Sequence, residues 1–359
     1  MLDIQVKEKQ LPNRVIGLDL LRIALALLIF SFHSWMHFEC RYSYLTNFVS
    51  VGAVAMTGFF LLSGYSMRLV YGEQNLMDKK NLIGFYLKRV IGIIPLYYAS
   101  ALIYVVFLGT ETLLENLLLF PIEALCLQST FSSLFNVTHN GGTWFISCIM
   151  LAYLIYPFLQ VIIKQLTNKT KVIILFVLMY VDIWAAIISV EFHTAWIYEN
   201  PFYRILEFTS GLIIADFNLS YDGKIMNILR GWGMLIILMI ILFVGIFVIQ
   251  YYTNISDYML FNVIAFPCFV LMLLPLGCLR MPHLENSRWI RYLSKISYAF
   301  FLSQFFTWKI GYWMLRQIGY DCNWMRILIS LICCIVISIL MYELIQKPVT
   351  KFAKQKEII

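Results

Sequence analysis

The chain has 359 residues, of which 61% are hydrophobic, 16% aromatic and 13% charged, and its mean hydropathy is +0.79. A soluble domain carries about 25% charged residues, so 27 basic and 20 acidic side chains cannot cover a water-exposed surface of this size. Soluble, fibrous, disordered and nucleic-acid-binding readings are excluded, and the formal charge of +7 reports orientation in a lipid bilayer, because Lys and Arg collect in cytoplasmic loops.

A bilayer-spanning helix takes about 20 mostly apolar residues, since its backbone polar groups must all be satisfied internally. Residues 1–14 are polar and no small-residue cleavage pattern follows them, so they read as a retained cytoplasmic tail. Ten apolar stretches come next, at roughly 16–37, 47–68, 90–109, 143–163, 172–190, 201–219, 231–252, 258–279, 294–315 and 324–345. An eleventh, 113–133, is interrupted by Glu115, Pro121 and Glu123. With ten spans and the N-terminus inside, most of the 27 basic residues fall in inner segments. A crossing at 113–133 would put the last four basic clusters outside, against the positive-inside bias. That stretch is therefore expected to be re-entrant or to lie on the outer face, within a loop over 110–142 that holds no Lys or Arg. A loop of that length is more often functional than not. Residues 347–359 read as a second cytoplasmic tail. No repeat or second domain is visible, so the fold class is an all-α integral membrane bundle forming one domain over 1–359.

Of eight cysteines, Cys126, Cys148, Cys268, Cys278, Cys333 and Cys334 lie in or beside apolar runs and read as small packing residues. Cys40 and Cys322 sit near segment ends on the outer side, where a bridge has room to form. No Cys/His spacing fits a zinc site, and no metal is expected.

Ionisable groups inside spans are costly and mark functional hypotheses. The first span, GLDLLRIALALLIFSFHSWMH, contains Asp19, Arg22 and His33. Arg22 and His33 are eleven residues apart, which places them on one helix face with an axial offset of roughly 16 Å. Asp19, one turn before Arg22, can pair with it. A plainer assignment makes Asp19 and Arg22 an interfacial anchor and His33 an interfacial side chain. In FFLLSGY, Ser63 and Gly64 permit close helix contact. Lys88 and Arg89, in FYLKRVIGIIPLYY, mark the inner end of the third span, where they either obey the positive-inside bias or hold phosphates. Trp144 opens the fourth span, Arg204 and Glu207 stand at i, i+3 in NPFYRILEF, and Ser297, Tyr298 and Gln304 lie in RYLSKISYAFFLSQFF.

These segments in this order, with YLIYP after TWF and a closing QKP, resemble the acyltransferase family 3 membrane O-acyltransferases of bacteria, over about residues 14–354. The resemblance implies ten spans in the inner membrane with both termini cytoplasmic. It also implies acyl-CoA, with acetyl-CoA the expected form, as co-substrate without a bound cofactor, and transfer to a hydroxyl of a cell-surface or lipid-linked glycan. It matches Arg22 and His33 to the family's first-span motif and Arg89 to its third-span arginine. Departures occur at Gly92 and Gln346, where a second arginine and an acid are usual, and at Ile149 and Gln304, where an acid and a histidine are usual. In this reading His33 is the general base, and Arg22, oriented by Asp19, holds donor phosphates or polarises the thioester. Lys88 and Arg89 meet the donor; Trp144, Arg204 and Glu207 face the acceptor; Ser63, Tyr298 and Gln304 are further polar candidates. The rivals are a polysaccharide transporter or flippase, in which intramembrane charges line a substrate path, and a non-catalytic accessory of a glycan synthase.

Overall fold

The computed structural model describes residues 14–109, 112–130, 141–253, 257–319 and 322–358. The expected tail 1–13 and the loop segment 131–140 lie outside the described residues. In chain order the α-helices are α1 (Ile16–Phe38), α2 (Thr46–Ser50), α3 (Ala55–Tyr71), α4 (Lys79–Phe107), α5 (Leu113–Ala124), α6 (Trp144–Gln165), α7 (Asn168–Glu191), α8 (Pro201–Ser220), α9 (Lys224–Leu229), α10 (Trp232–Thr253), α11 (Asn262–Cys278), α12 (Pro282–Glu285), α13 (Arg288–Ile318), α14 (Asn323–Met341) and α15 (Lys347–Gln355). Among the described residues all regular structure is helical.

Local chemistry sets many of the helix starts. Asp78 caps α4 by accepting from the Lys80 and Asn81 amides, Asn200 caps α8 ahead of Pro201, and Ser287 caps α13. Each satisfies amides that the first helical turn leaves without partners. Gly319, at φ 71°, ends α13 in the left-handed conformation that glycine adopts without strain.

The ten expected spans correspond to α1, α3, α4, α6, α7, α8, α10, α11, α13 and α14. Eight segments among the described residues are long and apolar enough to cross a membrane by length and composition. The two long helices outside that set are α8 and α13. Their polar side chains, among them Arg204, Glu207 and Asp216 in α8 and Ser294, Ser303, Gln304 and Thr307 in α13, are buried against neighbouring helices, the position that intramembrane polar groups require.

Contacts between helix ends show that these ten run in alternating directions. At one end, called the basic end below, Arg14 donates to the Glu285 carbonyl at 2.7 Å, Arg68 and Lys171 pair with Asp216 at 2.8 and 2.5 Å, and Arg230 donates to Asn218 at 2.7 Å. At the opposite end Arg41 meets Asn323, Gln250 meets Asn47, Tyr198 meets Ala53 and Tyr312 meets Phe38. Helices α3 and α8 pack backbone against backbone. A Cβ on Gly64 would fall 1.9 Å from the Phe208 carbonyl oxygen, and one on Gly211 would fall 2.0 Å from that of Leu61. The two backbones touch, which only small residues allow.

Helix α5 does not cross. A capping box between Thr112 and Glu115 starts it, but 12 residues rise only about 18 Å, short of a span. Its far end accepts hydrogen bonds from the Tyr97 and Tyr98 hydroxyls, at Glu123 O (3.0 Å) and Ala124 O (2.6 Å). Tyr97 precedes the end of α4 at Phe107 by about 15 Å along the axis. The chain after α5 stays at that depth, where buried Gln128 donates to the Tyr97 hydroxyl and the Thr143 carbonyl.

The stretch over 347–359, expected as a cytoplasmic tail, begins as helix. A π-helical turn over Tyr342–Gln346 carries α14 into α15, and Gln346 donates to the Ile91 carbonyl of α4 at 2.9 Å. All eight cysteines are free thiols, Cys40 and Cys322 included.

Candidate functional site

Helices α1, α3, α4, α6 and α13 enclose a cavity of about 460 Å³. Along α3 its lining runs from Val70, near the basic end, to Met56, an axial distance of about 21 Å. Among the described residues Arg22, Lys88, Arg89 and Lys295 line it, and no carboxylate does. Phe59, Phe60, Phe145 and Phe301 line its far part, with Ile149 between Phe145 and Tyr153 on α6. The helix directions put the two groups at different depths, cations toward the basic end and rings away from it.

Arg89 donates to the Tyr71 hydroxyl at 2.8 Å and stacks over the rings of Tyr71, Phe85 and Tyr153 at 5.1, 5.9 and 5.5 Å. Its buried Nε has no hydrogen-bond partner. Lys88 and Lys295 line the same cavity. Gly92, where the family pattern has a second arginine, also lines it, and a Cβ there would meet nothing within 4 Å. The departure therefore leaves room in the cavity instead of disturbing packing.

Arg22 donates to Ser294 Oγ at 2.9 Å and reaches Asp19 at 3.5 Å. Asp19 has shorter contacts elsewhere, 2.5 Å from Arg14 Nε and 2.5 Å from the donating Ser294 hydroxyl. The Asp19–Arg22 pair expected from the i, i+3 spacing thus exists but is the longest contact of a four-residue group. Eleven residues further along the unbroken α1, His33 Nδ1 lies 2.7 Å from Gln304 Oε1. With the amide oxygen turned to the ring it accepts from Nδ1–H, and in the neutral imidazole that tautomer leaves the lone pair on Nε2. Because α1 and α13 run parallel, Arg22 with Ser294 and His33 with Gln304 form two rungs of one seam. His33 does not line the cavity; its neighbours are the rings of Phe301, at 6.3 Å, and Phe305, at 4.8 Å.

Two further polar candidates also belong to this region. Ser63 lies 3.0 Å from the Tyr153 hydroxyl, and the Tyr298 hydroxyl donates to Ile93 O at 3.1 Å; both side chains line the cavity. Trp144, Arg204 and Glu207 lie elsewhere. Arg204 and Glu207 are fully buried, joined at 2.7 and 2.9 Å, with Thr57 donating to Glu207 at 2.7 Å. Arg204 is surrounded by the rings of Phe60, Trp144, Tyr198 and Tyr203. Where an acceptor-facing vestibule is expected from sequence, the structure has packed interior.

Tyr153, Ser294, Lys295 and Phe301 line the cavity without having been singled out. Helical spacing from Ser294 through Tyr298 and Phe301 to Gln304 gives one face of α13, and that periodicity was the available signal.

A family model described as "Acyltransferase domain", that of acyltransferase family 3, matches residues 15–343. No curated protein and no solved structure matches the chain. The match takes in all ten long helices and every residue of the cavity. The protein is therefore a multi-pass membrane acyltransferase, moving groups other than amino-acyl groups, and it belongs to acyltransferase family 3.

Proposed function

We propose that the protein takes an acyl group, acetyl by preference, from cytoplasmic acyl-CoA and transfers it to a hydroxyl of a cell-surface or lipid-linked glycan, working in the inner membrane. The observation that carries this reading is the lining at the basic end of an apolar-ended cavity, with four cations and, among the described residues, no carboxylate. By the positive-inside rule that end faces the cytoplasm, where acyl-CoA is held. Guanidinium groups bind phosphate through paired, charge-assisted hydrogen bonds, and Arg89 has donors free of any carboxylate contact. Arg22, braced by Ser294 and Asp19, meets the donor further in.

The acceptor hydroxyl is a weak nucleophile, so a base must take its proton during attack on the thioester carbonyl. His33 is suited to this because Gln304 holds the proton on Nδ1 and leaves Nε2 basic. Oxygen bonds to the acyl carbon, the carbon–sulfur bond breaks, and the proton held by His33 passes to the departing CoA sulfur. The products are the glycan ester and free CoA. Gln304 stands where the family usually has histidine, and an amide performs the same positioning without titrating.

The test is transfer of labelled acetyl from acetyl-CoA to an acceptor glycan by purified protein in lipid, with release of free CoA in equal amount. Movement of an unmodified saccharide across sealed vesicles, with no CoA released, would return the transporter reading.

A further inference from the structure

The cavity and His33 are separated by aromatic rings. Phe301 is buried, with its ring edge-on to Phe145 at a centroid distance of 4.5 Å and to Phe59 at 6.5 Å. All three line the cavity. Phe301 also meets the ring of His33 edge-on at 6.3 Å, and Gln304, the partner of His33, lies one turn beyond Phe301 on α13. Buried Met56, Phe60 and Ile149 line the same cavity. A thioester entering from the basic end meets this wall before it meets the base.

We propose that Phe59, Phe145 and Phe301 form the acyl-end wall of the cavity and set the length of the acyl chain that is transferred. This rests on the acyl-CoA reading above and adds to it the determinant of donor choice. The carbonyl must come to the plane of Phe301 to be attacked through His33, so the carbons beyond it have only the room that these rings concede. An acetyl group adds one methyl and fits with a small turn of the Phe301 ring, because a single edge-on aromatic contact is weak enough to give way. A medium chain would need the whole ring displaced into close-packed surroundings, which resist added volume.

The experiment compares kcat/KM for acetyl-, butanoyl- and octanoyl-CoA in the wild-type protein, Phe301→Leu, Phe301→Ala and Phe145→Leu, each in lipid. The quantity read is the octanoyl-to-acetyl ratio, which does not depend on how much of a preparation is folded. The wild type is expected to favour acetyl. The Phe301 variants should raise the ratio about tenfold or more, in line with the discrimination that single methylenes confer in apolar pockets, and Phe145→Leu should raise it less. An unchanged ratio in both Phe301→Leu and Phe145→Leu, with acetyl transfer retained, overturns the wall and leaves the acyl-CoA reading standing. A wild-type protein that transfers no acyl group from any of the three donors overturns that reading and this inference together.

Discussion

Arg89 couples a strong hydrogen bond to three aromatic contacts, and lysine can reproduce neither the planar fork nor the stacking. Arg89→Lys is therefore expected to raise the apparent dissociation constant for acyl-CoA about tenfold or more, consistent with roughly 1.5–3 kcal/mol for a hydrogen bond to a charged group, as read by isothermal titration in detergent. His33→Gln should bind donor normally and lose about 10²–10⁴ in turnover; near-normal turnover at saturating donor would remove His33 from the mechanism. Arg22→Ala should weaken donor binding with little loss of thermal stability, since Asp19 retains Arg14 and Ser294. Outside the spans, Glu199 is buried between α7 and α8, and burial pushes its carboxyl up to about 9 against the opposing pull of Arg204. The folded state then binds the proton more tightly than the unfolded chain, whose glutamate titrates at about 4.3. Stability falls as pH rises through that window, and Glu199→Gln should flatten the fall in thermal-unfolding midpoint between about pH 5 and pH 9. The relation of Arg22 to His33 was legible because one helix fixes both rotation and rise. Their partners were not, since Ser294 and Gln304 lie more than 270 positions away.

Hydropathy located the long helices because bilayer thickness fixes their length, but it ranked α8 poorly for the reason that makes α8 central. That helix is surrounded by protein, so its polar groups are paid for by partners such as Glu207 for Arg204. Removing one member of a fully buried pair leaves an uncompensated charge, so Arg204→Met is expected to destabilise by about 3–5 kcal/mol, and Arg204→Met with Glu207→Leu by less; denaturation midpoints in lipid provide the check. The sequence left Arg204 and Glu207 facing the acceptor, because i, i+3 spacing says they can meet and nothing about what surrounds them. The α3–α8 crossing is similar. Ser63 and Gly64 pointed to close packing, yet the partner glycine, Gly211, could be named only from the structure. Where a side-chain carbon would sit about 2 Å from a carbonyl oxygen, Gly64→Leu should force the two helices apart and abolish folded protein, measured by monodispersity after extraction.

By the positive-inside rule, basic clusters in alternate loops predict how the bundle lies in the bilayer, and the alternation of the ten long helices gives that pattern a physical frame. A single cysteine at Lys169, exposed at the start of α7 near the basic end, should react with membrane-impermeant maleimide only after cells are opened, whereas one at Thr112 should react in intact cells. Reaction at Lys169 from outside would invert the assignment of the cavity mouth to the cytoplasm. The seam between α1 and α13 has a consequence for biogenesis. Its members are 272 positions apart at Arg22 and Ser294, and chains grow at about 5–20 residues per second, so α1 waits roughly 15–50 seconds for α13. During that interval Arg22 and Asp19 stand in the first two turns of α1 without Ser294, each at a cost below the about 2.5–3.5 kcal/mol that applies at a helix centre, relieved by their own proximity and by Arg14. Because His33 likewise lacks Gln304 until then, a chain halted at any point before α13 emerges carries the whole first-span motif without the seam, and under the proposed mechanism activity begins only when synthesis is nearly complete.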